Sequence, residues 1–458
     1  MEKTGIFKEF RPVSAKEWKQ KIQVDLKGAD YNDTLIWESL EGIHVKPFYH
    51  SEDVMGQPKF SLPSEHQWYI GQHIFVHDVA KSNKKALDIL QRGADHLVFT
   101  LPNKQLDLDR LFTGIPMKGS VIYFHLQFLD VGATKTIIDF FKDKNSPVFL
   151  SLDPIGNFAK TGNWYHSEIQ DLAAVKEVLA YSSPYGHVHV MGAHGSLYQQ
   201  AGANMVQQLS YTVAHMVEYL QYGLQDTSLP LFHLALGSNY FFEIAKLRAM
   251  RWMWASVSAG FGQGPSCKIL ATPSKRNKTI YDYNVNMLRT TSECMAAILG
   301  GADTICNLRY DSLFNKDNEF GERIARNQLL LLKEESYFDE AIHAAAGSYY
   351  LESLTKQLAE KALTLFKQIE SAGGFLNCLK SGTIQKKIKE SAAKEQAKFD
   401  AGELVLLGTN TYQNPADRMG NNLALYPFVK TKNHKTLIPP IIEKRLAEGL
   451  EQNRLKNE

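Results

Sequence analysis

His187 and His189 alternate along HVHVMGAH, so on a β-strand both imidazoles would face one side, the start of a metal site. No third ligand suggests itself, and the pair reads as ordinary strand histidines. The adjacent acids Glu334 and Glu335, and the pair Asp339 and Glu340, could in principle share general acid and base work. At a helix end they read as solvated charges. Arg248 and Arg251 stand three apart on an expected helix and could clamp an anion; interhelical ion pairs are the expected role, with an interface role as the alternative. The nearby Trp252 and Trp254 read as packing residues. Cys267, Cys294, Cys306 and Cys378 are scattered without CxxC spacing, and are expected to be buried, reduced thiols rather than a zinc site or a disulfide.

The bulk properties narrow the classes further. A chain of 458 residues, 44% hydrophobic, can bury a large core and exceeds one ordinary domain. With 51 basic against 49 acidic residues, the net charge of +2 marks neither a nucleic-acid nor a lipid surface. The N-terminus MEKTGIFKEFRP has no apolar core, and no run reaches the roughly 18 apolar residues that a membrane span needs. A cytoplasmic protein is expected, with no nucleic acid, membrane or metal among its partners.

The elements that would position these side chains alternate. Eight short apolar runs read as strands: Gln67 to Tyr69, Leu97 to Thr100, Val121 to Phe124, Val148 to Leu152, His187 to Met191, Leu231 to Leu236, Lys268 to Thr272 and Thr304 to Asn307. Longer amphipathic stretches lie between them, as in Val79 to Arg92, Ile137 to Lys142, Glu168 to Tyr181, Ala203 to Tyr222, Phe241 to Val257 and Tyr281 to Leu299. Glycines such as Gly93, Gly300 and Gly301 sit where helices should end. Eight βα units over roughly 250 residues imply a (β/α)8 TIM barrel. The expected division is an N-terminal arm over 1–60, the barrel over 61–335 and a helical extension over 336–458. The arm carries one short helix near Ala15 to Val24 and many aromatics, which need covering by the chain's own barrel or by another subunit. In the extension, Tyr350 to Glu370 and Thr383 to Lys398 read as helices joined through Gly373 and Gly374. Gly402 to Gln413 reads as paired strands, and Ile441 to Asn453 as a last helix.

Five segments carry a family resemblance: GSNYFFEIAKLRAMRWMWA from Gly237, RTTSECMAAILGG from Arg289, RIARNQLLLLKEESYF from Arg323, GSYYLESLTKQLAEKA from Gly347 and GTIQKKIKES from Gly382. In this order they resemble methylmalonyl-CoA mutase. The likeness extends through AGANMVQQLSYTVAHMVEYL from Ala201 and DLKGADYNDTLIWESLEGIHVKPFY from Asp25, the latter similar to the small, or beta, subunit of heterodimeric bacterial mutases. The resemblance implies a barrel along whose axis the CoA tail is threaded in the catalytic chain. It also implies an adenosylcobalamin cofactor that carries the radical interconversion of methylmalonyl-CoA and succinyl-CoA, the protein holding, aligning and excluding water.

The departures from the family pattern are as informative. None of the 15 histidines lies in the D-x-H-x-x-G motif that gives the family's cobalt its histidine, and the chain stops where the flavodoxin-like cobalamin domain would begin. Where the catalytic chain carries Tyr-His ahead of the AGA anchor, this chain has Ser196 and Leu197. His194 lies close by but two residues are inserted, and it reads as a structural or loop histidine. Gly237 stands at the position of a second active-site histidine. The G-T-I-Q-N-D loop is replaced by SLDPIGNFAKTGNW from Ser151, and the stretch with the arginines and the radical-shielding tyrosine by EHQWYIGQHIF from Glu65. A pantetheine channel also needs small inward side chains, whereas SVIYFHLQF from Ser120 puts either Tyr123 or Phe124, and His125 or Leu126, on the axis, so the barrel reads as plugged.

These residues imply a non-catalytic small subunit that stabilises a catalytic large (alpha) chain of the mutase, in propionate metabolism. No catalytic, cofactor-binding or metal-ligating residue is expected in this chain, and adenosylcobalamin is expected on the large subunit. The pseudo-symmetry of two homologous barrels would explain a barrel kept without its site. One alternative is the substrate-binding chain of a split acyl-CoA mutase, with cobalamin supplied by a separate chain. Another is an assembly scaffold for a mutase, against which stands the lack of a GxxxxGK[ST] nucleotide loop.

Overall fold

Runs rich in Val, Ile, Leu and Phe form eight parallel strands that close into a ring in the computed structural model, which describes residues 10–56, 62–63, 65–224, 229–430 and 435–458. A small antiparallel hairpin, β1 (Trp37–Glu38) and β2 (His44–Val45), precedes them. The barrel strands are β3 (Tyr69–Phe75), β4 (His96–Leu101), β5 (Ile122–Leu126), β6 (Val148–Leu152), β7 (Val188–Ala193), β8 (Leu231–Leu236), β9 (Lys268–Pro273) and β10 (Thr304–Cys306). Around the ring they run β10-β3-β4-β5-β6-β7-β8-β9, and the chain is the expected (β/α)8 barrel. Seven strands lie where the sequence reading puts them, to within two residues. The first begins at Tyr69, where the reading ended it, and continues to Phe75.

The helices, in chain order, are α1 (Ala15–Asp25) and α2 (Tyr31–Leu35) in the arm, then α3 (Val79–Gln91), α4 (Leu108–Phe112), α5 (Val131–Phe141), α6 (Pro154–Thr161), α7 (Glu168–Ser182), α8 (Ser196–Gln200), α9 (Met205–Gln221), α10 (Tyr240–Ser258), α11 (Val285–Gly300) and α12 (Glu319–Leu330) around the barrel. The extension adds α13 (Tyr349–Ser371), α14 (Phe375–Lys380), α15 (Thr383–Asp400) and α16 (Glu448–Lys456). The βα loops carry their own start signals. Asp78, Asp130 and Asp153 each accept a backbone N–H from the first turn of α3, α5 and α6, which satisfies a donor the helix cannot. Among the described residues, no helix is long and apolar enough to cross a membrane.

Side-chain parity along each strand divides the core in two. Leu97, Phe99, Ile122, Phe124, Val148, Leu150, Phe232 and Leu234 point outward and join the helices in one large apolar cluster. Val98, Tyr123, Phe149, Leu231, Leu270 and Cys306 point to the axis and form a separate cluster. The four cysteines are buried and unpaired.

The arm behaves in two parts. From Tyr31 to Asp53 it lies on the chain's own surface: Tyr31 and Ile43 are buried, Trp37 meets Phe242 edge-on at 5.7 Å, and Asn204 donates to the Leu40 carbonyl. By contrast α1 has no buried residue and is held mainly by Trp18 stacking on Phe48 at 4.8 Å, a capping box at Ser14 and a contact of Lys19 with the Tyr31 ring. The tail corrects two expectations. Gly402 to Gln413 forms no strand pair; Gly408 takes a positive φ of 75° and its N–H donates to the Thr411 carbonyl, a local turn with one isolated bridge. The last helix begins at Glu448, because the preceding stretch spends its N–H groups on the barrel: Leu437 on Gly162, Ile441 on Ala159, Lys444 on Gln200 and Leu446 on Arg276. A helix there would forfeit those bonds.

Phe141 is fully buried, its ring within 5.0–5.9 Å of Phe140, Phe112 and Phe124. Phe141→Ala is expected to destabilise the chain by about 3–5 kcal/mol, read as a lower urea midpoint with unchanged slope.

Candidate functional site

The lower half of the barrel is closed by rings. Tyr69 stacks on His96 at 4.4 Å, Tyr123 on Phe149 at 5.0 Å, and Phe149 packs on His189 at 4.4 Å. The Thr304 hydroxyl ties this layer together, sharing hydrogen bonds of 2.8 Å with both His96 Nδ1 and the Tyr123 hydroxyl. Gly71 fits here because a Cβ would come within 2.6 Å of Cys306 and Thr304. Of the two parities the sequence allows, Tyr123 and His125 face the axis.

Above this layer, at the C-terminal ends of the strands, the barrel opens into a cavity of about 700 Å³. His73 on β3, His125 on β5, His233 on β8 and His194 just after β7 line it, with Ser151 between them. The Ser151 hydroxyl lies 3.0 Å from His233 Nε2 and 3.3 Å from His194 Nε2, and the two rings stack at 4.1 Å. Ser151 sits at the irregularity in the β6–β7 pairing with φ of 47°, and its neighbour must be Gly192, whose Cβ would lie 2.2 Å from the Ser151 hydroxyl.

Beside the cavity Asp153 organises the β6–α6 turn. It accepts from the N–H groups of Gly156 and His194 and from the Tyr219 hydroxyl, and lies 2.7 Å from His215 Nε2. Burial pushes its pKa up, but His215 and these donors prevail and hold the carboxyl well below the usual range. The cavity histidines shift the other way. Burial, with Lys160 nearby, lowers His125 to about 4, and burial next to His125 lowers His194 to about 3. In the lower layer, burial and Lys268 bring His96 to about 3. These are neutral imidazoles at pH 7.

The residues singled out from sequence fall in several places. His194 is in the cavity, as are Ser196 and Leu197; Gly237 directly follows β8 and donates its N–H to Glu243. His187 meets the Phe141 carbonyl, and His189 accepts the Leu229 N–H, so the two share no site. Arg248 makes the interhelical pair foreseen, with Glu352 of α13. Arg251 instead binds Asp303 and the carbonyls of Gly301 and Cys267, at the foot of the barrel. Trp254 is buried against Phe232. Glu334, Glu335, Asp339 and Glu340 are all exposed. The quartet of mouth histidines was not foreseen from sequence, although His73, His125 and His233 each occupy an axis-facing position near the C-terminal end of a strand. Among the described residues, no three His, Cys, Asp or Glu side chains are placed to hold a metal ion.

The sequence profile described as methylmalonyl-CoA mutase matches residues 100–437. The chain belongs to the methylmalonyl-CoA mutase family. It is 34% identical to the methylmalonyl-CoA mutase small subunit of Porphyromonas gingivalis over 497 aligned positions, covering 100% of this chain and 79% of that protein. It is 30% identical to the methylmalonyl-CoA mutase of Cereibacter sphaeroides, covering 86% of this chain but 64% of that one. The chain thus spans under two thirds of the second relative's length. Among solved structures, the dihydropteroate synthase of Thermus thermophilus covers 59% of this chain and is itself covered to 95%, at 10% identity and a TM-score of 0.29, too low to bear on fold or function. The Ser151 to Trp164 stretch forms the β6–α6 wall of the cavity, and the Glu65 to Phe75 stretch contributes His73 and Phe75.

The lowered histidine pKa values predict a pH dependence. Unfolded, His96 and His125 titrate near 6.5; folded, near 3 and 4, so between those values the unfolded chain binds protons that the folded chain refuses. Their contribution is complete above pH 6.5 and is lost as pH falls toward 4. The urea midpoint is expected to drop over that range, and to drop less steeply in a His96→Gln, His125→Gln double variant.

Proposed function

We propose that this chain is the non-catalytic small subunit of a heterodimeric, adenosylcobalamin-dependent methylmalonyl-CoA mutase, and that it stabilises a catalytic large chain. The observation that carries this reading is the ring layer of Tyr69, His96, Tyr123, Phe149 and His189 across the barrel axis. A pantetheine arm threaded through the axis needs that space, and these side chains fill it with good geometry and a shared hydrogen-bond centre at Thr304. The large chain would perform the interconversion of methylmalonyl-CoA and succinyl-CoA.

The surface of α1 supports the partner half of the proposal. Its Trp18 and Val24 are 48% and 73% exposed, and Val13 ahead of it is also open, an apolar run that a second subunit would cover. The three-part organisation follows: an arm over 1–60 reaching the partner, a barrel over 61–335 and an extension over 336–458. Adenosylcobalamin would supply the radical chemistry and is assigned to the large chain. In this chain no histidine lies in a D-x-H-x-x-G motif, and two of the four mouth imidazoles are engaged by Ser151. The cytoplasm and propionate metabolism are the proposed setting.

Co-expression with a catalytic mutase chain from the same genome, followed by size-exclusion chromatography and mutase assays, tests this reading. A one-to-one complex is expected, active as a mixture and inactive as this chain alone. Val24→Glu, on the exposed face of α1, should weaken the complex at least tenfold without lowering the melting temperature of the free chain. Turnover by this chain supplied only with a separate cobalamin-carrying protein would instead establish the split-mutase alternative.

A further inference from the structure

The tail crosses the mouth in two stretches that are held differently. From 437 to 446 its backbone is bonded to the barrel loops. From 414 to 429 it is pinned at both ends by side chains, chiefly those of α16. Arg454 donates to the Asn414 and Asp417 carbonyls, Glu458 accepts the N–H groups of Met419 and Gly420, and Asp417 accepts the Asp282 N–H. At the far end Arg445 donates to the Pro427 carbonyl and Glu448 accepts the Val429 N–H. Met419 and Phe428 add an apolar anchor at each end, buried in one cluster with Tyr281 and Phe314.

Between these pins runs a short bow, residues 421–426. Among the described residues, its backbone makes one hydrogen bond beyond the tail, from the Leu425 N–H to the Phe314 carbonyl at 2.9 Å. Asn422 folds back on Arg418 and Met419, Leu423 leans on the edge of the buried cluster, and the Tyr426 ring meets Phe428 edge-on at 5.4 Å. Leu425 stands in the cavity lining and is 40% exposed. Phe75, the last residue of β3, stands in the same lining and is 48% exposed. Phe314 lies in the β10–α12 loop, and β10 neighbours β3 in the ring, so the bow is tethered beside the strand that carries Phe75.

We propose that this bow is a lid for the mouth: it pivots on its pinned ends, releases the Leu425 bond to Phe314 and lays Leu425 on Phe75. One neutral hydrogen bond is a small cost, and burying two exposed apolar side chains against each other offsets it. The ends stay fixed, so only a short run of backbone changes conformation. Closed, the lid shields from bulk water the side of the mouth that holds His73, which is exposed while the lid is open. The device goes beyond the subunit reading and belongs to this chain alone: it operates with or without a large chain.

Disulfide trapping in the full-length chain tests it. The four native cysteines are buried, so a Phe75→Cys, Leu425→Cys pair supplies the accessible thiols, and a disulfide requires their Cα atoms to come within about 7 Å. Under mild oxidation the pair is expected to cross-link about tenfold faster than a Phe75→Cys, Tyr412→Cys pair, Tyr412 being exposed on the tail outside the bow. In the cross-linked chain, modification of His73 by diethyl pyrocarbonate should slow about fivefold and recover on reduction. Cross-linking no faster than in the Tyr412 pair would overturn the proposal, as would a cross-linked chain whose His73 stays fully reactive. Amide exchange in the unaltered chain gives a second reading that no folding defect can affect. The Leu425 amide should exchange about tenfold faster than the Ile441 and Leu446 amides, which are bonded to the barrel loops. Equal protection at all three positions would sink the lid. Each of these outcomes leaves the subunit reading intact, because that reading rests on the closed axis below.

Discussion

An eight-stranded parallel barrel has space on its axis for one layer of side chains per level, and what fills each level decides whether anything else can pass. Here the middle level is aromatic. Tyr123 on Phe149, with Phe149 on His189 and His96 on Tyr69, occupies the space a ligand arm would need, and Thr304 fixes two of these rings through one hydroxyl. Burial pushes the Tyr123 phenol far above its usual pKa, so the hydroxyl stays protonated and the Thr304 centre neutral. A single missing Cβ, at Gly71, lets β3 approach β10 at this level. The closure is therefore a packed core built around a shared hydrogen-bond centre, not an incidental narrowing.

The ring of strands was legible from the sequence because each strand is a short, continuous apolar run between amphipathic helices. Which side chains face the axis was not legible. Parity is a property of register, and Val121 to Leu126 offers a bulky residue on either face; only the pairing of Val98 with Tyr123 and of Tyr123 with Phe149 settles it. The same limit hid the mouth. His73, His125, His194 and His233 are separated by scores of residues, and nothing in their local spacing links them until the barrel closes. The expected strands in Gly402 to Gln413 failed for a simpler reason: their apolar residues have no free strand edge to join, and the left-handed Gly408 folds the segment on itself. The expected start of the last helix at Ile441 failed because backbone bonds to the barrel loops outweigh local helix preference.

Those loop bonds are reinforced by buried charge. Arg276 reaches from the β9 loop to Glu395 of α15 and to the Lys444 carbonyl, while Arg445 pairs with Glu451 and donates to the carbonyls of Lys278 and Pro427. Lys278 itself is paired with Glu293 of α11, both fully buried, and burial works against the charge on each. Such pairs add little net stability over an apolar core, yet each fails badly if one partner is removed. Their effect is to fix the path of the tail across the rim, where a merely hydrophobic strap could slide. The tail thereby becomes part of the mouth: Leu425 and Glu443 stand in its lining.

The two halves of the axis consequently obey different physics. In the closed half the side chains of Tyr69, His96, Tyr123 and His189 each make a hydrogen bond within the protein, where an unpaired buried donor would cost about 1–3 kcal/mol. In the open half the imidazoles of His73 and His125 and the ammonium groups of Lys160 and Lys275 go without protein partners. The fold tolerates this because the cavity opens to solvent, and water can take the place of an acceptor there. Four imidazoles, a serine held in a left-handed conformation and a glycine that makes room for it set the mouth apart from the aromatic level below.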